Sequence, residues 1–454
     1  MKLTGLLSIA ISSVMMSVTA AGAARAHYGG TLHVQMASTV TSLDPADGAQ
    51  GGALAARNLL ALIFETLVTL DDRGQPQPAL AISWQTDPGN QRWQFVLRPG
   101  VTFSDATPMT PEIVAASLRR TNPAWKVATK ENSLIIQFDV SAPYLLAELA
   151  LPRNSIANWQ SGKLLGTGPF VVSQWDPGKK IGMAARDDYW GARPFLDSVE
   201  IEMGKNFREQ TVSYELGQSQ VIEIPAGQVY RANETRQLQA SEPIELVALV
   251  FSRDVQSPEQ AKLRQALALS IDHDLLNRVV LQGGGQSAGG LLPDWLSGYA
   301  FLFPVNADLT RAQQLRAEVP QAPVWNVGYD VTDPLERTLA ERIVLDASNA
   351  GLRLQLANSD TSDIRLVRIQ LASLDPHLAL TELAKSMGLA LPQFLGNSVD
   401  DLYHTENAML QSERVIPLLH LRTACAVSKT VRNWQDSPDG SWRLPEVSLA
   451  TGKQ

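Results

Sequence analysis

Apolar and polar residues alternate between two periods along this chain, and the changes of period predict its elements. Thr31 to Met36 reads as a short strand, and Ala53, Ala56, Leu60, Ile63, Phe64 and Leu67 then recur at helical spacing, predicting a helix over about 51–67. Trp93, Phe95 and Leu97 alternate with polar neighbours as a half-buried strand does, Pro99-Gly100 turns the chain, and Val101 and Phe103 restart an apolar face. Thr110 precedes Pro111 and Glu112, so a hydroxyl caps a helix whose first position is proline. Ser133 to Phe138 predicts a further strand, reached soon after Leu118-Arg119-Arg120-Thr121. Leu246 to Phe251 is continuously apolar and predicts a buried strand. Trp325 to Tyr329 as strand, a helix opened by Asp333-Pro334 and running to about Ala350, and alternating Leu352, Leu354 and Leu356 follow in an α/β order.

The first residues change the picture of compartment. Lys2 precedes an apolar run to about Val18, and Ala24-Arg25-Ala26 has the small-x-small form of a cleavage site, which predicts a secretory signal with His27 as the first mature residue. Removal of residues 1–26 takes Lys2 and Arg25 and no acid, leaving 36 basic and 46 acidic residues and a net charge of −10 over 428 residues. That sign argues against a nucleic-acid partner. Cys425 is the only cysteine, too far from the signal for a lipid anchor and unable to form an internal disulfide, so its expected role is a buried apolar side chain.

The motifs bearing on chemistry are few. Gly166-Thr167-Gly168-Pro169-Phe170 precedes a strand rather than a helix and lacks the lysine of a phosphate loop, so a sharp entry into a sheet is expected. Gly283-Gly284-Gly285 and Gly289-Gly290 read as a mobile connector. The six histidines, at positions 27, 33, 273, 377, 404 and 420, form no metal-ligand spacing, so no metal and no cofactor is expected; His377 is the one best placed to help hold a chelated metal. No Gly-x-Ser-x-Gly or His-Glu-x-x-His run supports a secreted hydrolase.

Several segments in a fixed order carry a resemblance. Leu67–Gln85, Trp93–Glu112, Gly166–Phe170, Asp188–Glu202 (reading DYWGARPFLDSVEIE) and Leu263–Asp272 together resemble the family 5 solute-binding proteins of peptide and nickel ABC importers. The resemblance implies a two-lobed α/β periplasmic-binding-protein fold of type II, cluster C-like, with a small accessory subdomain at about 68–150, reduced because the passage after Leu118 is short. It implies a first lobe over 27–250, a second lobe over 251–415 and a return to the first lobe over 416–454. Leu246–Phe251 would be the crossing strand. Function would be solute capture by hinge closure in the periplasm, with no catalysis, a monomeric protein and a membrane permease as partner. A degenerate sensor or chaperone is the alternative. In peptide-binding members an arginine, a tryptophan and an amine-pairing aspartate lie in the second lobe; here the last two positions hold Ile369 and Ala372, which departs from the peptide pattern. The candidate ligand contacts are therefore Arg365 and Arg368 for a carboxylate, Asp375 for a cation, and the aromatics Trp295 and Phe251.

Overall fold

The computed structural model describes residues 28–47, 53–160, 162–230, 232, 238–358, 362–435 and 437–450. The signal-like segment and His27 lie outside these residues.

A single eleven-stranded mixed sheet runs through both lobes. Its order is Phe170–Asp176, Lys180–Ala185, Ser198–Glu202, Thr31–Gln35, Val221–Ile224, Val415–Val427, Leu238–Phe251, Ile364–Gln370, Val324–Tyr329 and Arg353–Asn358, with Gly285–Ser287 paired beside Val415–Val427. Two strands are long enough to belong to both lobes: Leu238–Phe251 and Val415–Val427, antiparallel to each other. Their ladder slips between Ala240 and Pro243 and again between Pro243 and Glu245. Pro243 has no N–H to donate, so the slip falls where the backbone loses a donor. Ser241 repairs part of the loss, its Oγ accepting from the Thr423 amide at 3.0 Å. Beyond the slip the strand is already in the second lobe. Val247, Leu249 and Phe251 join one buried cluster and Leu246, Ala248 and Val250 another, on opposite faces of the sheet. The strand thus changes surroundings across the slip: Leu238 packs with Ile222 and Ile224, and the residues from Leu246 onward pack in the two other clusters.

The accessory subdomain has its own core. Ala81–Thr86, Arg92–Leu97, Ser133–Gln137 and Lys126–Lys130 form an antiparallel sheet in that order, covered by the helix Pro111–Thr121. Trp93, Phe95 and Leu97 point into the core as expected, and Thr110 Oγ1 accepts from the Ile113 amide. The strand Lys126–Lys130 lies in the short passage between Thr121 and Ser133.

Helix α1 spans Leu54–Ile63, shorter than expected because Phe64 turns to an extended conformation. The short motifs meet at its C-terminal end. A Cβ on Gly166 would stand 2.0 Å from the Ile63 carbonyl oxygen and one on Gly168 at 2.7 Å, so these glycines permit backbone contact rather than flexibility. Half-buried Glu65 accepts from Tyr189 Oη at 2.7 Å and Trp190 Nε1 at 2.9 Å, and Arg186 donates to the carbonyls of Thr102, Phe103 and Gly168. Trp93–Glu112, Gly166–Phe170 and Asp188–Glu202 are thus three sides of one joint between the first lobe and the accessory subdomain.

The glycine-rich stretch at 283–290 is not a connector without structure. Gly285–Ser287 pairs with Leu421, His420 and Leu419, and a Cβ on Gly289 or Gly290 would meet the Pro304 carbonyl at 2.6 Å or Glu406 Oε1 at 2.8 Å. The loop that follows closes the second lobe: Tyr299 is buried against Phe303 and Tyr403.

Candidate functional site

The slip in the crossing strands forms the floor of a cleft of about 1000 Å³. Gln239, Ala240 and Ser241 from one strand and Arg422 to Cys425 from the other lie along it. The first lobe adds Ala37, Ser38, the first turn of α1, Glu223 and, from the C-terminal segment, Trp434, Gln435, Ser437, Gly440, Ser441 and Trp442. The second lobe adds Asp330, Thr332, Asp333, Pro334, Arg368 to Gln370, Ala372 and Glu382, and Leu151 to Arg153 close one side.

Charge is distributed unevenly over these walls. On the second lobe one cation, Arg368, stands among acids: its Nε and Nη2 donate to Glu245 at 3.0 and 2.9 Å, and its Nη1 meets Asp333. Burial disfavours the charged guanidinium, but Glu245 and Asp333 outweigh it and hold Arg368 protonated. Asp330, held below the usual carboxylate range first by the Thr332 hydroxyl, extends the acidic wall. On the first-lobe floor Glu223 accepts from the amides of Ala37 at 2.6 Å and Ser38 at 3.4 Å, yet burial dominates and pushes its carboxyl upward toward protonation. Trp434 and Trp442, with ring centroids 6.2 Å apart, supply the aromatic surface.

At the mouth the accessory subdomain touches the second lobe directly. Arg153 bridges Glu148 of its own subdomain at 2.7 Å to Glu382 of the second lobe at 2.7 Å, and Tyr144 Oη donates to Asn397 at 2.8 Å. Tyr144 also stacks on His377 with centroids 4.6 Å apart. Arg153→Ala is expected to weaken this contact by about 1.5–3 kcal/mol, the usual range for a hydrogen bond to a charged group. The unliganded protein should then show a larger radius of gyration by small-angle X-ray scattering; an unchanged scattering profile would show that the ion pair does not hold the mouth.

Of the five residues singled out in the sequence, Arg368 stands in the cleft wall. The other four stand outside its lining among the described residues. Arg365 lies opposite Val250 and Gly328 in the sheet, three positions from Arg368 and hence on the other face. Asp375 caps the helix Pro376–Met387, accepting from the Leu378 amide at 2.9 Å. Trp295 Nε1 donates to the Pro243 carbonyl at 2.9 Å while its ring packs on the second-lobe core. Phe251 is 2% exposed, edge-on to Trp325 and covered by the Arg264 guanidinium, so it is core. Ile369 and Ala372, which lack the polar groups of the peptide pattern, do line the cavity. Cys425 was expected to be buried; it is partly exposed in the cleft floor, in register with Glu223 on one neighbour and Gln239 on the other. Sequence reading missed Glu223, Glu245, Arg153 and the two tryptophans, and met Asp333 only as a helix opener. Among the described residues no group of three or more His, Cys, Asp or Glu side chains is arranged to hold a metal ion.

Comparison with known proteins places this geometry. Bacterial extracellular solute-binding proteins, family 5 middle, match residues 75–381. The probable D,D-dipeptide-binding periplasmic protein DdpA of Escherichia coli strain K12 is 24% identical over 318 residues, which are 63% of this chain and 61% of that one. The nickel-binding periplasmic protein of the same strain is 23% identical over 351 residues, 67% of each chain. The chain thus spans about six-tenths to two-thirds of the length of these relatives. Among solved structures, NikA from Brucella suis in complex with Fe(III)-EDTA superposes with a TM-score of 0.80 at 18% identity, over 92% of this chain and 100% of that one. The dipeptide binding protein from Pseudoalteromonas sp. SM9913 in complex with Met-Leu gives 0.79 at 16% identity, over 92% and 100%. These structures share the two-lobed α/β fold. With more than half of its length matched by the family, and with that fold around an interlobe cleft, the chain belongs to the family 5 bacterial extracellular solute-binding proteins.

Proposed function

We propose that this protein is the periplasmic binding component of an ABC importer, taking an oligopeptide or similar small polar solute between its lobes and delivering it to a membrane permease. The observation that carries this reading is the cleft itself, about 1000 Å³ in volume, walled by both lobes and floored by the two strands that join them. A solute that touches both walls gains its full set of contacts only when the lobes are together, so binding favours closure. The bends required are concentrated where Pro243 already breaks the ladder. No bond in the solute is made or broken. Relatives whose names speak of dipeptides and of nickel support a small solute. The absence of a carboxylate at Ala372 and the acidic wall around Arg368 indicate that its contacts are arranged differently from the peptide pattern.

Mass spectrometry of protein purified without denaturation tests the reading. Small peptides or related polar solutes should be recovered in amounts approaching one per protein. An empty protein whose melting temperature no peptide pool raises, or a bound solute released as a cleaved product, would count against it.

A further inference from the structure

At the first-lobe corner of the cleft the start of helix α1 and the C-terminal segment meet, with Arg57 behind the lining. Helix α1, of ten residues, begins there: Ala53, Leu54, Ala55 and Asn58 line the wall, and the capping position, Ala53, has no side chain to accept from the first helical amides. The positive end of the helix therefore faces the cavity. The Leu54 amide is met from the second lobe by Gln370 Oε1 at 2.6 Å.

Arg57, one turn into the helix, is 6% exposed. Its Nη1 donates to the Leu371 carbonyl at 3.0 Å and the Ala372 carbonyl at 3.4 Å, while its Nε and Nη2 have no acceptor among the described residues. A buried guanidinium with idle donors adds positive potential to the helix end beside it.

The C-terminal segment completes the corner. Asn58 holds it to α1, donating to the Gly440 carbonyl at 3.3 Å and accepting from the Trp442 amide at 3.1 Å. Ser437, tied to Gly440 through its carbonyl at 2.9 Å, lines the cavity at 4% exposure, and its Oγ has no hydrogen-bond partner among the described residues. The acid beside it, Asp439, is turned onto Ser441, accepting from that hydroxyl at 2.7 Å and that amide at 3.0 Å, and offsets part of the Arg57 charge. A helix N-terminus and an unused hydroxyl at the cavity wall, with a buried cation behind them, match an anion rather than a cation.

We propose that this corner receives a carboxylate of the bound solute, with the Ser437 hydroxyl donating to it. The solute is then a small zwitterion, its acid end on the first lobe and its cationic end toward Asp330, Asp333 and Glu245. This rests on the importer reading and adds the chemical class and direction of what is carried.

The test compares two pools of dipeptides of the same sequences, one with free C-terminal acids and one amidated, in thermal-shift titrations of the full chain. The free-acid pool should raise the melting temperature, and the amidated pool should need about tenfold or more concentration for the same shift, the loss expected for one charged hydrogen bond. Ser437→Asp should abolish the response to the free acids through like-charge repulsion, and Ser437→Ala, which adds no charge, should weaken it about tenfold. The unliganded melting temperature of each variant shows whether it folds; if the aspartate variant does not, the alanine variant and the pair of pools decide. Equal shifts from both pools, or a folded Ser437 variant responding as the parent does, would overturn the carboxylate corner and leave the importer reading standing. If neither pool shifts the protein, the peptide-like reading fails and this assignment falls with it.

Discussion

Arg368→Ala is expected to lower the free energy of unfolding by about 2–3 kcal/mol, between the cost of breaking an exposed ion pair and that of removing one partner of a fully buried one. Among the described residues, Arg368 is the cation paired with both Glu245 and Asp333, with side-chain exposures of 23% for Arg368 and 10% for Glu245. Its loss leaves two carboxylates facing each other across a partly desolvated wall, and Asp333 also caps the helix Pro334–Asn349 through its amide contacts with Leu335 and Glu336. The double variant with Glu245→Gln should recover a measurable part of that loss, because one uncompensated charge is removed while the cap stays intact. Urea denaturation of the single and double variants reads both values. A loss below about 1 kcal/mol, the range of an exposed pair, would show that solvent screens this cluster.

Glu406→Gln should change how stability varies with pH. Glu406 is fully buried and accepts from the amides of Leu291 and Leu292 and from Tyr299 Oη, but burial outweighs these donors and pushes its carboxyl up to about 7. A carboxyl held above its unfolded value of 4.5 contributes stability that is complete below 4.5 and lost as pH rises through about 7. The loss across that window is about 3 kcal/mol. His420 acts on the same segment from the other side, its Nε2 hydrogen donating to the Leu291 carbonyl at 3.0 Å. Burial pushes it down to about 4, so its contribution is present above 6.5 and lost as pH falls toward 4. His273, also pushed down to about 4 by burial, slopes the same way. Between about 4.5 and 6.5 the glutamate and the histidines therefore oppose each other. The stability of Glu406→Gln relative to the parent should rise with pH across 4.5 to 7 by about 3 kcal/mol, since the parent alone carries the loss. Denaturation curves at half-unit steps measure the difference; a flat difference would mean that Glu406 is ionised throughout.

Much of the scaffold was legible because its elements obey a single period. Leu246–Phe251 reads as a buried strand since all six residues are apolar and both faces are covered. The first half of that strand was hidden: Ser241-Glu242-Pro243 has the composition of a turn, and only pairing with a strand more than 170 positions away keeps it extended. Lys126–Lys130 was missed for a related reason, since only Val127 of its five residues is buried and no face shows. The short motifs identified the fold because they meet at one joint, yet that joint lies away from the cleft. The cleft was less legible. Two arginines in one strand, Arg365 and Arg368, looked equivalent until their odd spacing put them on opposite faces. Glu223, Arg153 and Trp442 come from segments far apart in sequence and carry no local pattern that marks them. Asp375 and Asp333 both announce helix starts, and only the tertiary structure adds a cleft contact to one of them.

The Val415–Val427 strand has a consequence for the order in which the chain acquires its structure. In the first lobe it covers Val221–Ile224, and in the second it lies against Leu238–Phe251 and Gly285–Ser287. Neither lobe's part of the sheet has this inner strand until about residue 427 has been made. Contacts of such long sequence separation must close large loops before they are rewarded, which slows folding. The accessory subdomain, whose four strands all lie between Ala81 and Gln137, has no such wait. During synthesis it can form early as a stable outpost, while both lobes remain unfinished and gain their shape together when the last long strand arrives.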